Sequence, residues 1–223
     1  KFNSSATTKD ADTLKANIIQ AITNYNSTTL QKFDSVFRHS KVATLIDDVD
    51  TSILSNITTL KIRKDLTPTL NSSLKYNVYF RNSLYNPHSG HNASAGGILS
   101  STGFKVSGDT NEQFLDDDGN GNVRRYYLSG ATRVYSNSTQ GTIDYTTGAI
   151  TINSLQVTSI SNIRGSASSV IELTVQPASK DIVPVRDQII EIDIANSNFT
   201  VEKDTFVAGS SDAGVGYTTT SSY

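Results

Sequence analysis

Gly141-Thr-Ile-Asp-Tyr-Thr-Thr-Gly-Ala-Ile-Thr-Ile152 reads as two short strands joined by a tight turn. Ile143 and Tyr145 alternate with polar residues on one side, and Ile150 and Ile152 on the other, the period of two that a half-buried strand requires. Thr146, Thr147 and Gly148 separate them, and glycine takes the positive φ of a tight turn at no steric cost. The neighbours in this stretch should therefore be antiparallel.

The same period recurs outward from this hairpin. Leu60 and Ile62 alternate with Lys61 and Arg63; Leu74, Tyr76, Val78 and Phe80 alternate with Lys75, Asn77, Tyr79 and Arg81. Further strands are expected over 123–128, 170–175, 190–194 and 199–201. Pro184 lacks an amide donor, so 181–186 should be an edge or a crossing connection. Residues 207–223 hold little that is apolar beyond Val215 and Tyr217, and read as a flexible or partner-ordered tail.

Upstream, the period changes to that of a helix. Leu14, Ile18, Ala21, Ile22 and Tyr25 recur at three- and four-residue steps, which predicts an amphipathic helix over 12–25, capped by Asp10 or Asp12 and stopped by Asn24, Asn26 and Ser27. A second helix is expected over 40–49, with Val42, Leu45, Ile46 and Val49 on one face and Ser40 as its cap. Leu30, Phe33 and Phe37 lie between them. The fold class is α+β: a short N-terminal helical subdomain with two helices and an edge strand over 1–68, a mainly antiparallel β-rich domain over 69–206, and the tail.

Composition narrows the chemistry. Ser, Thr and Asn fill a third of the 223 positions, and hydrophobic residues make up 36%, below the roughly 45–50% of globular chains, a figure that includes glycine. The core should be thin. Nineteen basic residues against 21 acidic give a net charge of -2, which disfavours a nucleic-acid or anionic-membrane surface. Without cysteine there is no disulfide and no thiolate chemistry, and His39, His88 and His91 are the only imidazoles. No apolar run reaches the roughly 18 residues of a membrane span. The chain has no methionine at all, and it reads as a C-terminal piece of something longer.

Asp116-Asp117-Asp118-Gly119-Asn120-Gly121 matches the first half of a calcium loop, with Asp116, Asp118 and Asn120 as candidate ligands. Arg124 and Tyr127 occupy the ninth and twelfth positions, so the closing bidentate acid is missing, and the competing reading is a solvated turn. His88 and His91 share a Gly-rich stretch with no helix to set both rings on one face, and an exposed loop accounts for them. Gly119 and Gly121 follow acids and lack the lysine of a phosphate cradle. No Gly-x-Ser-x-Gly elbow exists to activate a serine. Asp47, Asp48 and Asp50 meet the negative end of the second helix dipole, an unfavourable placement, offset by a partner's basic side chain or by capping of the next turn. Seven Asn-x-Ser/Thr triplets, at Asn3, Asn26, Asn56, Asn71, Asn92, Asn137 and Asn198, are what chance yields in such a composition.

Residues 24–53 resemble the C-terminal part of the baseplate wedge protein of T-even-like contractile-tailed phages, within the wider J-like baseplate family. Tyr25, Phe33, Phe37, Ser40-Lys41, Asp47-Asp48 before Asp50, and Ser52-Ile53 carry the resemblance. Arg125, Tyr126, Tyr127 and the Ile143-Asp-Tyr hairpin look similar to the family's later hairpins. The resemblance implies a structural, non-catalytic virion subunit assembled in the host cytoplasm, without cofactor or metal. Its partners would be a second copy of itself and other wedge subunits, closing a ring around the tail tube, with no nucleic acid, membrane or small-molecule substrate. The interface expected on this basis comprises Phe33, Phe37, Ser40, Lys41, Ile46, Asp47 and Asp48. The alternative is a carbohydrate- or host-surface-binding β module that stacks sugars on Tyr79, Tyr85, Tyr126 and Tyr127.

Overall fold

Asp10 begins the first helix by accepting the Thr13 N–H at 2.8 Å on its carboxylate, which satisfies one of the amides a helix start leaves unpaired. The computed structural model describes residues 1–185 and 188–205, an α+β chain whose described residues fall in two compact units, 1–58 with those from 183 onward, and 59–182. The expected tail, 207–223, lies outside the described residues. Among those described, no helix is long and apolar enough to cross a membrane.

In the first unit, α1 (Ala11–Tyr25) buries Leu14, Ile18 and Ile22, one residue per turn. The expected stop at Asn24 to Ser27 is instead a change of winding: a π-helical turn, Asn26–Leu30, carries the chain on and buries Leu30. Helix α2 (His39–Asp47) packs on α1 and buries Val42. It starts one residue earlier than expected, and neither Ser40 nor the N-cap residue, Arg38, makes a side-chain cap hydrogen bond.

The C-terminal segment returns to this unit, which is why the contiguous division at residue 68 does not describe its outline. Asn26 takes both backbone groups of Ile192, its Oδ1 accepting from the N–H at 2.8 Å and its Nδ2 donating to the carbonyl at 3.4 Å. Phe2, 1% exposed, bridges Ile53 on one side and Lys203 on the other. Residues 190–194 and 199–201 are consequently not strands, as their sequence had suggested. A side-chain amide has replaced the ladder partner at Ile192, and a 3₁₀ turn, Ile194–Asn196, ends the stretch.

The second unit holds nine strands: β1 (Ile62–Leu66), β2 (Ser73–Tyr79), β3 (Leu99–Ser101), β4 (Phe104–Val106), β5 (Gln113–Asp117), β6 (Asn122–Ser129), β7 (Thr132–Asp144), β8 (Ala149–Ile160) and β9 (Ile171–Val175). All their pairings are antiparallel. β9 lies between β1 and β3 in a three-stranded sheet, and β2 pairs with one edge of β8. The other edge of β8 carries β7 along its first half and β4 along its second, and the pairings β4 to β5 to β6 to β7 close a five-stranded barrel. An odd ring of straight strands cannot alternate direction throughout, so closure needs a bend or a corner. β8 stays continuous but is irregular between the two pairing stretches, where Ser154 takes a φ of 47° and the register against β2 shifts. A single residue pair, Phe104 with Gln113, makes the corner between β4 and β5.

The quoted hairpin forms as read. Ile143 and Ile150 face each other across β7 and β8, and Gly148 takes φ 70° in the turn. Asp144 organises that turn by accepting from Thr146 N–H and from the Thr147 hydroxyl. A Cβ at Gly148 would lie 2.4 Å from the Asn82 carbonyl oxygen, so only glycine fits. The core of this unit collects Leu115, Val123, Ile150, Ile152, Leu155 and Val157 from the barrel with Leu66, Leu99, Ile171, Leu173 and Val175 from the three-stranded sheet. Hydroxyls tie the layers: Ser101 Oγ accepts from Leu115 N–H, and Thr102 Oγ1 from Glu172 N–H. Two of the short polar side chains thus serve the fold itself.

Candidate interaction surface

Segment 54–58 lies along one stripe of α2, because His39, Ala43 and Asp47 follow one another at four-residue steps and so share a face. Asn56 Nδ2 donates to the Ala43 carbonyl at 3.1 Å and to Asp47 Oδ1 at 2.7 Å. His39 Nε2 lies 3.1 Å from the Thr58 carbonyl oxygen. Successive side chains of an extended segment alternate, so with Asn56 and Thr58 turned to the helix, Ile57 faces solvent. It is 95% exposed, and Leu54 is 55% exposed.

The residues expected at an interface separate into two groups. Phe33 is 68% exposed in the loop that leads into α2. Ser40, Lys41, Asp47 and Asp48 are exposed and Ile46 is half-buried. Phe37, at 5% exposure, belongs to the core. Its burial removes it from any surface that docks without unfolding this unit. Leu54 and Ile57 were not anticipated, because neither sits on a helical or strand period that would mark a face.

Two of the three acids at the end of α2, Asp47 and Asp50, find partners within the chain. Lys9 Nζ donates to Asp50 Oδ2 at 2.6 Å while Asp50 Oδ1 accepts the Ser52 N–H. These bonds, Lys9 foremost, lower the Asp50 pKa to about 2. Asp47 is held by Asn56, as above. For Asp47 and Asp50 the unfavourable dipole placement is therefore offset without a partner subunit.

The calcium-like motif has a different fate from either sequence reading. Asp116 and Asp117 lie in β5 and are buried, whereas a calcium loop would present them with Asp118 to one point. Asp116 accepts from Arg124 Nε and Arg133 Nη1, each at 2.9 Å, and from the Tyr135 hydroxyl. Burial pushes its carboxyl above the ordinary carboxylate pKa against the pull of these donors, Arg124 first. Arg124 also lies over the Tyr135 ring and Arg133 over that of Tyr126. Asp117 accepts from Ile98 N–H, Leu99 N–H, Gly119 N–H and the Tyr145 hydroxyl. Asp118 turns to Asn120 and Asn122; burial works against its ionisation, but these bonds hold its pKa below the ordinary value. Asn120 itself receives the Ser89 hydroxyl. Among the described residues, no group of three or more His, Asp or Glu side chains gathers to hold a metal ion.

The tyrosines of the sugar-stacking reading do not form one platform of exposed rings. Tyr126 is buried between Phe114 and Tyr135. Tyr79 is exposed beneath Arg81, and Tyr85 packs against His91.

A comparison with curated proteins gives no match. Over residues 1–65, which run through α1 and α2 and into β1, the chain matches the family described as baseplate structural protein gp6, C-terminal domain III, a match consistent with a baseplate wedge protein and supporting a structural, virion-borne role in a phage tail baseplate.

Proposed function

We propose that the chain is a structural subunit of a baseplate wedge that pairs with a second copy of itself and with other wedge subunits, closes a ring around the tail tube, and moves in the rearrangement that triggers sheath contraction. The family match over residues 1–65 carries this reading. Its role is non-catalytic, and assembly precedes incorporation into the virion, in the host cytoplasm.

The seam we assign to it comprises Phe33, Leu54 and Ile57 with Ser40, Lys41, Ile46 and Asp47 of α2 and Asp48 just after it. Exposed side chains of this size lose water favourably, at about 25 cal/mol per Å² of apolar area covered. Each contact is modest, and ring closure multiplies it, since every linked contact makes the next effectively intramolecular. Phe33→Asp combined with Ile57→Asp tests the seam without entering the core. The expected result is loss of self-association and wedge binding in sedimentation analysis, with an unchanged circular dichroism spectrum. Unaltered assembly by the folded double variant would overturn the assignment.

A further inference from the structure

Two of the three imidazoles sit together in the second unit. His91 Nδ1 lies 3.3 Å from His88 Nε2, with the rings edge to face. His88 Nδ1 is 3.0 Å from the Ser89 carbonyl oxygen, which can only accept, so the proton of the neutral ring sits on Nδ1 and Nε2 carries a lone pair. Two nitrogens bound to one tetrahedral ion at about 2.0–2.1 Å stand about 3.3–3.4 Å apart. The pair is already at chelating distance.

The loop that carries the pair is fixed rather than loose. Gly90 N–H and Asn86 Nδ2 both donate to the Gly119 carbonyl, at 3.0 and 3.2 Å, and Ser89 bonds Asn120. A Cβ at Gly119, where φ is 71°, would lie 2.5 Å from His91 N, so the glycine lets the two loops meet. Tyr85 meets the His91 ring edge to face at 5.2 Å. A second observation points to a ligand: Asn86 Oδ1 is buried without a hydrogen-bond partner, and Asn86 and His88 line the same hollow with Ser89, Asn120 and Tyr145. A buried orphan acceptor is costly, and a water polarised by a metal ion is a strong donor to it.

We propose that His88 and His91 chelate one borderline divalent transition-metal ion of the zinc, nickel and copper class, with water completing its coordination and hydrogen-bonded to Asn86 Oδ1. Imidazole nitrogen suits these ions, and hard cations prefer carboxylates; the carboxylates of Asp117 and Asp118 nearby are engaged by protein donors. The site shares no residue with the seam proposed above.

Titration calorimetry of the full, untagged chain with zinc, then with nickel, tests this. One ion should bind per chain with calcium and magnesium unable to compete. His88→Ala and His91→Ala should each weaken binding by no less than the roughly 10–100-fold that outer partners of a metal ligand contribute. His39→Ala should bind as the parent does. Circular dichroism checks that the variants fold, as an exposed loop allows. Absence of binding up to about 1 mM zinc, or equal affinity in the parent, His88→Ala and His91→Ala, would overturn the proposal. So would loss of binding in His39→Ala alone.

Discussion

The phenol of Tyr145 donates to Oδ2 of Asp117 across 2.6 Å, tying the turn of the β7–β8 hairpin to the acidic end of β5. Burial, and then the carboxylate itself, push the Tyr145 pKa far above its ordinary value, as expected of a hydroxyl that donates to an anion. Asp117 gathers three backbone N–H groups besides, so it acts as a buried junction between strands and loops.

Removing that junction should be much worse than removing one of its donors. Asp117→Ala leaves three N–H groups unpaired in the interior and should cost about 3 kcal/mol or more, whereas Tyr145→Phe should cost about 1–2 kcal/mol. Urea unfolding of both variants measures the difference. Calcium at a concentration that would saturate a loop site should leave the midpoint of the parent unchanged, since bound ligand would raise it.

Phe33 and Phe37 are four residues apart with opposite fates, and stability should separate them. Phe37→Ala empties a core position and should cost about 3–5 kcal/mol. Phe33→Ala should change stability by no more than about 0.5 kcal/mol, as at other exposed sites. Equal losses in thermal or urea unfolding would contradict the burial that distinguishes them.

The Lys9–Asp50 pair gives the first unit an acid-sensitive contact. The Asp50 pKa is about 2 folded, against an ordinary 3.8, so its contribution is present above about pH 4 and is lost as pH falls towards 2. Lys9→Ala should therefore lower the unfolding midpoint at pH 7 and have a much smaller effect at pH 2, where about half of the folded-state carboxyl is already protonated. In the variant, the Asp50 carboxyl should titrate closer to 3.8 by NMR.

Ser52 is fully buried, and its hydroxyl helps Lys9 and the Ser52 N–H to lower the Asp50 pKa. Ser52→Ala removes that hydroxyl and should let the Asp50 carboxyl titrate closer to its ordinary value by NMR. An unchanged Asp50 titration would mean that the hydroxyl takes no part in holding the carboxylate.

What the sequence revealed followed from contacts close along the chain. The alternation around Gly148, the apolar stripe of α1 and the Asp10 cap are each complete within a dozen or so residues, and each formed. The two helices followed by antiparallel strands, and with them the α+β class, rest on such signals. β3 and β4, three residues each, are too short for a period of two to register. Asp116 and Asp117 look like turn residues because the groups that permit their burial, Arg133, Leu99 and Tyr145 among them, come from 17 to 28 positions away. Ile192 reads as strand because nothing in its neighbourhood announces that Asn26, 166 residues earlier, will take its backbone. The exposure of Ser40, Lys41, Asp47 and Asp48 was legible in the period of α2, but not that of Ile57, which depends on its neighbours' bonds to the helix, nor the burial of Phe37, which spacing alone could not distinguish from Phe33.

Immunogold labelling of intact phage particles carrying this chain, with an antibody raised against residues 59–182, tests the central claim most directly. A structural baseplate subunit predicts gold confined to the end plate of the tail, before and after sheath contraction. Particles without label, or label on the head or along the tube instead, would contradict it.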